Sequence, residues 1–149
     1  MTENLTSGTR WQGVLGFATA YVALYHLSGF LIENQFFANA VSFLFLPAFI
    51  RLLGYLVIGL WITPALLLAG IVLILKGTYD LGAGIATELA VTLATAISGP
   101  ALTHLAARLM QLKPNLETLS PSQLLALSVA CSLGNALALG LTLWLIAPF

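Results

Sequence analysis

Residues 41–75 form an apolar run of 35 positions that carries a single formal charge, Arg51, and a helix-breaking Thr63-Pro64 pair. About 20 apolar residues suffice for a helix to cross the hydrocarbon core of a bilayer. The run is therefore too long for one crossing and fits two short ones that meet at the proline. An arginine inside such a stretch must face protein or water, because exposing it to lipid at mid-membrane costs at least ~2.5–3.5 kcal/mol. The chain accordingly reads as an all-α integral membrane protein.

Composition supports this class. Apolar residues make up 60% of the chain and charged residues 7%, against roughly 45–50% and 25% in soluble globular proteins. A soluble protein of 149 residues could not cover its surface with so few charges. Net charge is zero, so no basic face points to nucleic acid. The lone cysteine, Cys131, excludes an internal disulfide and lies in an apolar helix as a small packing residue. The first apolar segment is longer than a signal-peptide core and has no small-residue cleavage site before Glu33, so it reads as a permanent span.

Run length and punctuation predict one transmembrane domain of five helices, at about 11–31, 41–61, 64–79, 81–110 and 121–146, behind a polar tail at 1–10. Pro64 suits a helix start, and Pro100 is expected to bend the fourth helix. Ser120, Pro121 and Gln123 have the spacing of an N-cap, a first helical position and a capping box. Charge selects the topology. With five crossings and a cytoplasmic N-terminus, Arg10, Arg108 and Lys113 lie inside and only Lys76 outside; with four crossings the count is two against two. The positive-inside rule favours five crossings, N-in and C-out.

Small residues recur every fourth position in the last two spans: Gly82, Ala86, Ala90 and Ala94, then Ala126, Ala130, Gly134 and Ala138. Such stripes let helix backbones approach closely where lipid supplies no hydrophobic drive. They predict that the fourth and fifth helices pack on one another.

Ionisable groups that survive within membrane spans are the places to look for function. The predicted topology puts His26 and Glu88 roughly 8 Å below the outer helix ends at 1.5 Å rise per residue. Arg51 falls near mid-depth and Glu33 at the outer rim. These four form a candidate polar cluster in the outer half of the bundle, able to bind a small polar ligand or stage a proton. An Arg51–Glu88 ion pair that merely lets both groups stay in the bundle explains them equally. Asn135 reads as an interhelical hydrogen-bond donor. Haem b held by His26 and His104 is disfavoured, because five crossings separate the two by more than ~10 Å in height. No cofactor or metal is expected, and no phosphate loop, zinc-protease helix or nucleophilic triad is present, so the chain does not read as an enzyme.

The segment Phe45-Leu46-Pro47-Ala48-Phe49-Ile50-Arg51-Leu52-Leu53-Gly54, followed by Leu60-Trp61-Ile62-Thr63-Pro64-Ala65-Leu66, resembles part of the bacterial membrane-associated sensor domains of the first type. The stretch from Ile97-Ser98-Gly99-Pro100-Ala101-Leu102 to Arg108 is similar in shape to a second segment of that family. The resemblance covers about a third of the chain. It implies a multi-pass module of the bacterial inner membrane that acts through another protein. Two functions follow as expectations. One is a non-catalytic subunit that packs against partner proteins, or copies of itself, through its small-residue faces. The alternative is a sensor or small-ligand-binding module built on the polar cluster, signalling through a separate output protein.

Overall fold

The computed structural model describes residues 7–33, 41–77, 84–112 and 119–146, with side chains described for 8–28, 49–77, 84–112 and 119–146. Helices α1 (Ser7–Glu33), α2 (Val41–Ile58), α3 (Ile62–Leu75), α4 (Ile85–Leu109) and α5 (Pro121–Ile146) account for nearly all of them, and no strand occurs among the described residues. Among the described residues, three stretches are long and apolar enough to cross a membrane: Phe49–Leu75, Ile85–Leu109 and Pro121–Ile146. The protein is thus an all-helical membrane protein.

The first of those stretches is one run by composition but two helices by geometry. It breaks at a 3₁₀ turn, Gly59–Trp61, where Gly59 has φ +62°. Only glycine adopts that left-handed conformation without steric cost. Arg51 of α2 and Leu73 of α3 nevertheless line the same small cavity. Along one straight helix they would be about 33 Å apart, so the chain reverses between them. Sequence had put this break at Thr63-Pro64. Pro64 instead sits in the first turn of α3, where an amide has no partner within the helix and a proline costs nothing.

Contacts set the remaining directions. Gly13 of α1 lies against Ile58, and Tyr21 against Arg51, so α1 and α2 are antiparallel. Trp11 meets Trp61 edge-on at 6.0 Å, and Tyr25 shares a cavity with Leu73, so α1 and α3 run together. Gly70 packs on Thr92 of α4, whereas Arg108 at the far end of α4 returns to the level of Trp61. Leu127 of α5 begins at that same end, and Asn135 reaches Arg51. Successive helices therefore alternate in direction. We call the end holding Trp11, Trp61 and Arg108 the base.

The core centres on α3, whose Ile62, Ala65, Leu66, Ala69 and Leu73 are buried against Val14, Ala18 and Tyr21 of α1. On α4 the inward face is rich in threonine. Thr95 and Thr103 donate to the carbonyls of Val91 and Gly99, each at 2.8 Å, which satisfies their hydroxyls within the helix.

The pair α4–α5 makes the most extensive helix contact. Gly134 lies where an added Cβ would meet the Ser98 carbonyl oxygen at 2.8 Å and Leu102 at 3.0 Å. Ser98 and Leu102 lie beyond the predicted α4 stripe, at the same four-residue spacing as Ala90 and Ala94; Gly134 is the stripe residue that this contact places at the crossing. The stripe frays at its start: Ala86 is exposed, and Gly82 lies outside the described residues. At the base of α5 the capping box forms as its spacing predicts. Gln123 donates its amide to Ser120 Oγ, and the Ser120 amide donates to Gln123 Oε1.

Candidate functional site

Two polar features interrupt the apolar interior, and both are built on one face of α2. Arg51 and Tyr55 are one turn apart, so their side chains leave the helix in the same direction. Arg51 reaches α1 and α5; Tyr55 reaches α4.

Arg51 donates from Nη2 to the Tyr21 hydroxyl at 2.9 Å and from Nη1 to Asn135 Oδ1. Its Cζ also lies 5.5 Å from the centre of the Tyr21 ring. Guanidinium has five donors and no acceptor, so the Asn135 oxygen must be the group facing it. Asn135 is therefore the acceptor in the interhelical bond, where the sequence reading made it the donor. One guanidinium thus links α1, α2 and α5. Its Nε is buried and makes no hydrogen bond to the protein. Beside it lies a cavity of about 40 Å³ lined by Tyr21, Tyr25, Thr92 and Thr95, among others, which is room enough for water by the usual measure.

Of the four residues of the expected cluster, Arg51 hydrogen-bonds to two neutral groups from outside it, Tyr21 and Asn135. Glu88 is buried in the first turn of α4. His26 is exposed, with its ring edge-on to Tyr25 at 6.4 Å. The inward face of α1 passes through Val14, Ala18, Tyr21 and Ser28, and His26 falls beside it rather than on it. Glu33 ends α1, and its side chain lies outside the described residues.

The second feature is a cleft at the base, of about 460 Å³. Its walls include Leu56, Ile58, Leu60, Ala107 and Leu127, and its polar lining is Arg10, Arg108, His104 and Tyr55. The Tyr55 hydroxyl and His104 Nδ1 are 2.9 Å apart, tying α2 to α4 at the inner wall. Arg10 stacks on Trp61, with Cζ 5.8 Å from the ring. His104 lines this basal cleft, while His26 follows Tyr25 toward the opposite end, so the two histidines do not face a common site. Among the described residues, no group of three or more His, Cys, Asp or Glu side chains is placed to hold a metal.

Sequence reasoning had singled out neither Tyr21 nor the cleft. A usable signal existed for both. Tyr21 shares the spacing of Val14 and Ala18 on a helix that must contact Arg51. Arg10, Trp61 and Arg108 all fall at the same predicted membrane face. No known protein family, curated protein or solved structure matches the chain.

Proposed function

We propose that this protein is a non-catalytic binding module of the bacterial inner membrane, crossing the bilayer five times with the base in the cytoplasm. The observation that carries this reading is the basal cleft. Its volume of about 460 Å³ lies within the ~300–1,000 Å³ typical of ligand sites, and a few polar groups converge on apolar walls as such sites require. Occupancy at the Tyr55–His104 wall acts one helical turn from Arg51. A ligand that prefers one arrangement of that wall shifts the packing of α1, α2 and α5 together. A separate output protein reads the shift, in keeping with the partial resemblance to membrane-associated sensor domains.

The test is to fill the cleft. Ala107→Trp in the full chain, purified in mild detergent, is expected to abolish thermal stabilisation by any small molecule that stabilises the unaltered protein. Stabilisation that survives the substitution would refute the cleft as the site.

A second reading, the non-catalytic subunit, is favoured by α5. Leu125, Val129, Leu133, Leu137, Leu141 and Leu145 recur every fourth residue and are all exposed. Gly134 is already used against α4, so a partner or second copy would dock on this leucine row rather than on the small-residue stripe. Co-purification of a stoichiometric partner, lost on Leu133→Ser, supports that role; an unchanged monomer argues against it.

A further inference from the structure

We infer that the small cavity beside Arg51 is a binding site for a halide ion such as chloride, enclosed by α1, α2, α3 and α4. The site is separate from the basal cleft and does not depend on it. Arg51 lines this cavity, and its guanidinium keeps its charge at any physiological pH. Both groups to which it hydrogen-bonds, Tyr21 and Asn135, are neutral. Its Nε is buried and has no hydrogen-bond acceptor in the protein. A charge held inside a membrane bundle is costly unless it is paired and its donors are satisfied. No carboxylate is among the described residues that line the cavity; Glu88, one turn from Thr92 toward the start of α4, is not one of them.

The polar lining is rich in donors. Tyr21 accepts the Arg51 Nη2 hydrogen at its oxygen, so its own O–H remains to be donated, and Tyr21 lines the cavity as well. Gly70 of α3 lets Thr92 of α4 come in beside it, since any Cβ at Gly70 would collide with the Thr92 side chain. Thr92 thereby joins the lining, with a hydroxyl that can turn its hydrogen inward. A guanidinium, a phenol and an alcohol therefore face one small space from three helices.

Charge and size choose the occupant. A water accepts these hydrogens but leaves the guanidinium charge unmatched, whereas a halide accepts them and neutralises it. The cavity, of about 40 Å³, has room for roughly three waters. A halide with a water beside it fits that space; a tetrahedral oxyanion does not. The bound ion ties α1, α2 and α4 together, and the Arg51 bond to Asn135 extends the link to α5.

The full chain in a neutral detergent is exchanged into sodium gluconate and titrated with sodium chloride at constant ionic strength, following the melting temperature. Equilibrium dialysis against radiolabelled chloride measures binding directly. The protein is expected to retain chloride in stoichiometric amount, and its melting temperature to rise saturably with chloride and with bromide. Tyr21→Phe and Thr92→Val each remove one hydroxyl and keep the shape of the side chain, and each is expected to raise the half-saturating chloride concentration roughly tenfold. Thr19→Val serves as the control and leaves it unchanged, because that hydroxyl is exposed and donates to the Leu15 carbonyl. A protein that retains no chloride and melts at the same temperature in gluconate holds only water there, which would overturn the inference. Chloride binding undiminished in both Tyr21→Phe and Thr92→Val would place the ion elsewhere and overturn it equally.

Discussion

Adding one methyl group at Gly134 tests the α4–α5 crossing against a control in the same helix. Replacing a helical glycine by alanine ordinarily stabilises by roughly 0.5–1 kcal/mol, because less backbone entropy is lost on folding. At Gly134 the new Cβ meets the Ser98 carbonyl oxygen at 2.8 Å and Leu102 at 3.0 Å and 3.2 Å. A backbone oxygen cannot rotate away, so α4 must shift. Overpacking of this kind costs about 1–3 kcal/mol. Gly134→Ala should therefore destabilise by roughly 0.5–2 kcal/mol net. At Gly140, six residues on in the same helix, nothing lies within 4 Å. That alanine should keep the stabilisation, so one substitution has opposite signs at two sites in α5. Unfolding in mixed micelles on a rising SDS fraction, followed by far-UV circular dichroism, measures both. Gly134→Ala behaving like Gly140→Ala would show that the helices do not approach as described.

Asn135→Leu removes an acceptor from a partly buried guanidinium and should cost about 1.5–3 kcal/mol, the range for hydrogen bonds to charged groups; the same SDS titration reads it. Tyr21→Phe leaves the ring against Arg51 and removes only the hydroxyl, so it should cost less than Asn135→Leu; the reverse order would contradict the shared role of the two groups. Gly59→Ala places a Cβ at φ +62° and should destabilise by about 1–2 kcal/mol, which a loss of melting temperature in detergent would record. Ser120→Ala breaks the capping box at α5 and should cost ~0.5–2 kcal/mol, with Ser120→Gly milder; equal effects of the two would argue that the side chain does not cap.

The membrane class was legible from a single run of residues, because hydrocarbon thickness and the cost of an exposed guanidinium leave few alternatives. The α4–α5 contact was legible too, since small residues at a four-residue spacing have a direct geometric meaning. The partners of Arg51 were not. Depth can be read from residue number, but rotation about the helix axis cannot when nearly every face is apolar. Depth alone favoured Glu88 and His26; rotation delivered Tyr21 and Asn135. The reversal was displaced for a related reason. Pro64 is the conspicuous breaker, yet the bend needs a residue that tolerates positive φ, and Gly59 supplies it. The predicted alternation already puts Arg10, Trp61 and Arg108 at one end; that they enclose a single cleft depends on rotation about each helix axis and was not legible.

That alternation is the claim on which depth, cleft and charge placement all depend. Single cysteines at Gly8 and Ile146, each in a Cys131→Ala background, can be labelled in intact vesicles with a membrane-impermeant maleimide. The account predicts that position 8 reacts only from the cytoplasmic face and position 146 only from the opposite one. Reaction of both from a single face would mean an even number of crossings and would contradict it.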